Sequence, residues 1–290
     1  MKKKTGPEII DSHIHITPPE IIDDLSAYRE RDTYFDKLCS SSVNANVRAE
    51  NVVQVINNSP LERAVVFGFA FRDQDLCQQV NDYTIKKINQ FPDYLIGFAV
   101  VNPLVEGAVT ELQRCKQAGL CGVGEIYATG QGFDFKEKKH LFSVADFCQQ
   151  NNWPLVVHLN EPIGHYYEGK TGDSLAEGVA LAQNFPEVTF IFAHLGGGLC
   201  FYELMPELRA SLSNVYYDTA AVPFLYENQI YNTLKEAGVA GKILLGSDYP
   251  LIKPQKYITS IKNSSFSPEE KQNVLGGNLR KILSRADRSD

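Results

Sequence analysis

Eight short apolar runs recur along the chain at the spacing of strand–helix units, and this rhythm constrains the fold more than any other feature. The runs are 8–16 (EIIDSHIHI), 63–70 (RAVVFGFA), 95–101 (LIGFAVV), 121–127 (CGVGEIY), 154–160 (PLVVHLN), 188–195 (VTFIFAHL), 215–219 (VYYDT) and 242–248 (KILLGSD). They are rich in β-branched residues, and most are nearly continuous rather than alternating. Strands covered on both faces read this way, so a parallel sheet is implied. Helical patterns lie between them at 75–89, 106–118 and 138–151. Eight such units predict an α/β fold of the (β/α)₈ TIM-barrel type. A doubly wound sheet would want a Gly-rich turn after an early strand, whereas strand one ends in HIHITPPE.

A barrel of this kind uses about 250 residues as one domain, so residues 1–290 read as a single domain. The connection 17–61 is long and polar, with Tyr28, Tyr34 and Phe35 along it. A structureless loop of that length is uncommon in a compact domain. It is expected to be an insertion of one or two helices between strands one and two, lying over the strand C-termini as a partial lid. From Ser267 the tail carries an N-cap, Pro268 at the first helical position and a Gly stop, then resumes as a closing helix. With 28 Lys+Arg against 35 Asp+Glu the chain is acidic, which argues against nucleic acid and anionic membranes as partners. No apolar run approaches membrane-spanning length, and Lys2, Lys3 and Lys4 lead into no apolar signal core. The six cysteines are scattered without a CxxC pair, as expected of buried, reduced thiols in a cytoplasmic protein.

The polar residues at the ends of these runs carry the chemistry. His13 and His15 lie two apart on strand one, so both side chains share one face. Glu125, His158, His194 and Asp248 sit late in runs four, five, six and eight. Active sites of barrels assemble at this C-terminal rim. Six ionisable groups in one buried place are costly unless something offsets them. A divalent cation does so directly, and imidazole with carboxylate suits Zn²⁺, Mn²⁺ or Fe²⁺. A single strand histidine is more often a core or surface residue than a ligand. Four of the six histidines at strand ends, with a strand-end Asp, make a far sharper pattern.

These residues resemble the amidohydrolase superfamily of metal-dependent hydrolases, and most closely its amidohydrolase-related branch, amidohydrolase 2. The motifs that carry the resemblance are DSHIH from Asp11 to His15, VVHLNEP around His158, FAHLGGG around His194 and LLGSDYP around Asp248, with NDYTIKKINQFPDYLIGFAVVNP between them. The likeness runs from Ile9 to about Leu283. It implies that His13, His15, His158 and Asp248 ligate a metal, with His194 holding water or substrate. GVGEIY departs from that mononuclear pattern and looks like the strand-four Glu of binuclear, TatD-like members. In that arrangement His13, His15 and Asp248 take one ion, His158 and His194 take the other, and Glu125 bridges them. The resemblance therefore implies one ion, most simply zinc, and leaves a second open.

The reaction implied is hydrolysis of a small ester, lactone or amide by a metal-activated water, with Asp248 as general base. The alternative is a non-oxidative decarboxylase or hydratase of an aromatic or muconate-type acid, since the branch contains both. A TatD-like nuclease is suggested by Glu125 alone and opposed by the acidic charge. A non-catalytic metal-binding protein is opposed by the intact residue set. The resemblance also implies a homodimer and a small-molecule substrate. For substrate contact, Arg72 just past strand two offers a carboxylate clamp, or else a surface pair with Asp73 or Asp75. The segment 161–172 (EPIGHYYEGKTG) reads as a recognition loop bearing His165, Tyr166 and Lys170. Tyr127, Gln131 and Tyr249 are further positioning candidates, and Gly196–Gly198 could admit an anion at a helix start.

Overall fold

A computed structural model describes residues 8–41, 45–172 and 175–286; the Lys2–Lys4 start lies outside them. Eight strands follow in order: β1 (Ile10–His15), β2 (Arg63–Phe67), β3 (Leu95–Gly97), β4 (Val123–Ile126), β5 (Leu155–Val157), β6 (Phe190–Phe192), β7 (Val215–Asp218) and β8 (Ile243–Leu244). Parallel ladders join β1 to β3 and β4 to β8 in sequence order. Two single parallel bridges complete the ring, Ala99 with Val123 and Ile14 with Tyr249. The closed order is that of a TIM barrel and excludes the doubly wound alternative.

Each strand lies inside its predicted run but is shorter. His158, His194 and Asp248 all lie past the last laddered residue of their strands. The pleat sorts the apolar side chains into two layers. Val65, Phe67, Ile96, Phe98, Val156, Ile191 and Leu244 belong to one buried cluster. Their neighbours Ala64, Val66, Leu155, Val157, Phe190, Phe192 and Ile243 belong to another, shared with helix residues such as Leu112, Leu141 and Leu181. The first fills the barrel and the second cements the helices to it. On β1, Ile14 and Ile16 join the helix-side cluster. Period two therefore turns His13 and His15 inward, where Phe67 packs edge-on against both imidazoles at 5.0 Å between ring centroids. Deleting that ring would cost about 3–5 kcal/mol and loosen the base of the site.

The predicted helices form at Gln74–Gln90, Ala108–Gln117 and Lys138–Asn151. The last stops at Asn152, whose φ of 50° is a left-handed conformation that Asn tolerates. The insertion differs from expectation. It holds four helices rather than one or two: α1 (Pro19–Asp23), α2 (Leu25–Arg31), α3 (Thr33–Ser40) and α4 (Ala49–Asn57), with residues 42–44 outside the described set. Helices of five to nine residues are too short to show a period. Their boundaries are set by local caps instead. Pro19 opens α1, and Asp32 accepts from the Tyr34 and Phe35 amides to start α3.

At the tail, Ser267 and Glu270 form a capping box over Pro268–Gln272. The chain then kinks at Gly276, where a Cβ would lie 2.3 Å from the Glu8 carbonyl oxygen, and resumes as Asn278–Ala286. Among the described residues no helix is long and apolar enough to cross a membrane. All six cysteines are free thiols; four are buried as expected, whereas Cys39 and Cys121 are partly exposed.

Candidate metal centre

The barrel brings all six strand-end ionisable residues together at its C-terminal rim. They fall into two triads, His13–His15–Asp248 and Glu125–His158–His194, each with its ligand-capable atoms within 4.8 Å of one another. In the first, His13 Nε2 and His15 Nε2 face each other at 3.2 Å. Asp248 arrives from beyond β8, where its amide donates to the His13 carbonyl at 2.9 Å and its φ is 56°. That turn sets Oδ1 at 3.5 Å from His15 Nε2 and 3.7 Å from His13 Nε2. In the second triad His158 Nδ1 and His194 Nε2 stand 3.1 Å apart. His194 also has a left-handed φ, 58°. Such conformations are uncommon for residues other than Gly and cluster at functional sites.

Glu125 lies between the triads. Its Oε2 is 3.5 Å from both His13 Nε2 and His15 Nε2. Its Oε1 is 2.9 Å from His158 Nδ1 and 3.6 Å from His194 Nε2. One carboxylate oxygen thus faces each group. The donor set fits divalent cations. Two ligands about 2.0–2.1 Å from one tetrahedral ion lie roughly 3.3 Å apart, close to the nitrogen separations of 3.2 and 3.1 Å seen in the two triads.

A second layer orients these groups. The buried Asp218, at the end of β7, accepts from His13 Nδ1 at 2.8 Å through Oδ2. Its Oδ1 accepts from the amides of His194 at 3.1 Å and Ala220 at 2.9 Å. His194 Nδ1 faces the Ala220 carbonyl at 3.0 Å, and His158 Nε2 faces Asn160 Oδ1 at 3.1 Å. The Tyr127 hydroxyl donates to Glu125 Oε2 at 2.6 Å. Partners of this kind fix ring orientation and tautomer at metal sites.

The electrostatics follow from burial and charge together. Burial opposes charge on Glu125, but His158 and His13 outweigh it and hold the carboxyl well below its usual range. Burial likewise opposes charge on His13, and Asp218 with Glu125 lifts that imidazole well above the ordinary value. His194 is raised to about 9, burial again being overcome by Glu125. Burial and the adjacent Glu125 keep the Tyr127 hydroxyl protonated. Asp11, deeper in β1, is pushed up to about 7 by burial despite accepting from the His13 and Ser247 amides. The buried carboxylates and imidazoles of the cluster thus stabilise one another's charged forms, and a divalent cation would offset the carboxylates in the same way.

Above the cluster opens a cavity of about 410 Å³. Its floor includes His15, Glu125, His158, His194 and Asp248; Tyr127, Phe69 and Phe71 line one side, and Tyr34, Phe35 and Leu38 of α3 another. The insertion therefore walls the site, as expected of a partial lid. Loop 161–172 adds His165, Tyr167, Glu168 and Gly169. Phe69 sits at the centre of an aromatic group, with ring centroids 4.8–6.2 Å from Phe71, Phe35, Tyr127 and Tyr34.

Of the substrate-contact candidates, Tyr127 and His165 line the cavity. Arg72 and Tyr249 do not. Past β2 the alternation continues, with Phe69 and Phe71 on the cavity side, so Arg72 points out to solvent beside Gly132. Nor does Arg72 pair with Asp73, which binds Arg31. Tyr249 spends its backbone on the Ile14 bridge and packs its ring on the helix-side core. Tyr166 is exposed, Lys170 pairs with Glu161, and Gln131 is buried, holding the Phe71 and Val101 carbonyls. Residues 194–198 all have positive φ, so no regular helix start is available to an anion there. Gly197 is required instead by close approach, since a Cβ would lie 2.2 Å from the Asn160 carbonyl oxygen. Sequence reasoning passed over Asp218 and Asn160. The first carries the same signal as Asp248, an acid at the end of an apolar run. The second sits two residues past His158.

Comparison with known proteins agrees with this architecture. The Amidohydro_2 family model, described as amidohydrolase, matches residues 10–285. None of the curated proteins compared matches the sequence. Among solved structures, 5-carboxyvanillate decarboxylase from Sphingomonas paucimobilis is similar at 14% identity and a TM-score of 0.78, covering 96% of this chain and 99% of its own. A dihydroxybenzoic acid decarboxylase from Polaromonas sp. JS666, with bound manganese and the inhibitor 2-nitroresorcinol, is similar at 16% identity and a TM-score of 0.71, covering 96% and 97%. 4-Oxalomesaconate hydratase from Rhodopseudomonas palustris is similar at 18% identity and a TM-score of 0.71, covering 97% of each chain. At these identities the likeness establishes the fold, while the family match spans nearly the whole chain. With its TIM barrel and a candidate metal centre at the rim, this chain belongs to the amidohydrolase family.

Proposed function

We propose that this protein is a metal-dependent hydrolase of a small, uncharged ester, lactone or amide bearing an aromatic or apolar group. The observation that carries this reading is the make-up of the cavity. Its floor is the His, Glu and Asp cluster, its walls are aromatic and aliphatic, and its described lining residues include no Lys or Arg. Away from the cation floor such a cavity offers a carboxylate no guanidinium or ammonium partner, whereas a neutral carbonyl compound needs none and loses less hydration on entry.

His13, His15 and Asp248 would hold one divalent cation and Glu125, His158 and His194 a second; zinc suits these donors, and so do manganese and iron. Such an ion, when bound, supplies Lewis acidity and makes water a competent nucleophile near neutral pH. The Asp248 carboxylate takes the proton of the attacking water and returns it to the leaving group. Tyr127 keeps its proton and steadies Glu125 at the cavity edge, where it also meets the substrate body. His165 contacts substrate from the loop at the mouth. The aromatic walls exclude water and orient the acyl or aryl part of the substrate.

The second reading is non-oxidative decarboxylation or hydration on the same scaffold. It is favoured by the fold likeness to aromatic-acid decarboxylases and a hydratase. The two separate in one assay of metal-loaded protein, with neutral aryl esters and lactones set against hydroxybenzoic and muconate-type acids. Acid release from the neutral compounds without CO₂ from the acids is expected. CO₂ release with no ester or lactone turnover would replace the first reading by the second.

A further inference from the structure

We propose that Asn160 is a positioning residue. It holds His158 with Nδ1 turned into the cluster and takes its own orientation from loop 161–172, so the loop governs how well the Glu125–His158–His194 triad grips a cation. The proposal rests on the metal-binding reading above.

Asn160 is almost fully buried where the chain leaves β5. Its Oδ1 receives the Thr171 amide at 2.8 Å and the Thr171 hydroxyl at 2.7 Å. An amide N–H is always a donor, so the atom it meets is the carbonyl oxygen and not the amide nitrogen of Asn160. The same oxygen lies 3.1 Å from His158 Nε2. An oxygen acceptor attracts that nitrogen only when it carries hydrogen. His158 therefore carries hydrogen on Nε2, and Nδ1, the atom that faces Glu125 Oε1 at 2.9 Å and His194 Nε2 at 3.1 Å, is the ring nitrogen turned toward a cation. Asn160 thereby reserves Nδ1 for the cluster.

The other half of the Asn160 side chain belongs to the loop. Its Nδ2 donates to the Tyr167 hydroxyl at 2.7 Å. The loop is braced by the Lys170–Glu161 pair at 2.9 Å and by the Tyr34 hydroxyl of α3, which donates to the Gly169 carbonyl at 2.7 Å. Gly169 fits because it has no side chain: its φ is 91°, and a Cβ would lie 2.4 Å from Leu38 Cδ2. The Asn160 carbonyl in turn rests on Gly197, in the turn that follows His194. A single side chain thus joins a cation-facing imidazole to cavity-lining residues. Binding to either end biases the other by the same free energy, as linkage requires.

The test is a Zn²⁺ titration of chelator-treated full-length protein by calorimetry, with thermal melts alongside. In Asn160→Ala one binding step should weaken 10–100-fold, the scale of lost outer partners at metal sites, while any step belonging to the first triad stays at its wild-type affinity. Asn160→Asp should restore that step, because a carboxylate oxygen accepts the same three donors. Thr171→Val, which keeps the backbone donor and loses the hydroxyl, should weaken it by a smaller factor. Asn160→Ala binding zinc as wild type does, whether in one step or two, overturns the proposal and leaves the metal reading intact. Equal weakening of every step with a lowered melting temperature, unrelieved in Asn160→Asp, also overturns it, because Asn160 then serves the fold alone. No zinc uptake by wild-type protein overturns the metal reading and this proposal with it.

Discussion

At the floor of the cavity, ionisable groups sit on or just past strand ends, and several carry two or more polar partners: His13 between Asp218 and the cluster, Glu125 between two pairs of imidazoles and Tyr127. The roof, made by α3 and loop 161–172, is held by ring-to-ring contacts and a few bonds such as Tyr34 to Gly169, with His165 and Glu168 left exposed. Rigid strands and buried polar bonds fix the floor to within the tolerance that chemistry needs. Apolar walls on short helices and loops tolerate change without loss of the fold. On the function proposed above, the floor supplies the chemistry and the roof the choice of substrate.

This contrast can be broken at its strongest point first. Asp248→Asn should keep the melting temperature and circular dichroism of the wild type and lower kcat by about 10²–10⁴-fold, the range for loss of a general base. Wild-type turnover would remove Asp248 from the mechanism and the floor from its assigned role. Asp218→Asn touches no substrate but strips the charge from the partner of His13. Competition with a chromogenic chelator should show zinc held about 10–100-fold more weakly; unchanged affinity would reduce Asp218 to a strut.

The roof should respond differently. Phe69→Ala is expected to raise KM for aryl substrates roughly tenfold, equivalent to about 1.4 kcal/mol, with kcat nearly unchanged. A fall in kcat comparable with that of Asp248→Asn would erase the distinction between the two regions. The smallest effect belongs to Arg72→Ala, which should leave both kinetic constants within about twofold, as is usual for an exposed side chain away from a site. A large rise in KM for acidic substrates alone would reinstate Arg72 as a carboxylate clamp and favour decarboxylation.

Most of the barrel and of its floor could be read from local pattern. A continuous apolar run has few ways to fold, and a histidine or acid at its end is out of place unless it serves a site. That anomaly singled out His158, His194 and Asp248, and it was equally present at Asp218 in VYYDT, where it went unused. Arg72 illustrates the limit. Counting from the start of β2 does not reveal that the pleated alternation outlasts the ladder, with Phe69 and Phe71 facing the cavity and Arg72 facing solvent. The insertion shows another limit, since helices as short as α1 and α2 are decided by a proline or an aspartate cap rather than by periodicity.

The sequence by itself determined the barrel, the inward pair His13 and His15, and the inventory of imidazole and carboxylate donors, because period two and strand-end position are properties of a few neighbouring residues. Only the tertiary structure decided that Glu125 turns one oxygen to each triad, that Asn160 and Asp218 orient His158 and His13, and that Tyr34, Phe69 and Gly169 meet over the floor. Those contacts join residues 34, 69, 125, 160 and 218 across a closed ring of strands. Ring closure is a long-range event, and no local pattern records which side chains it brings face to face.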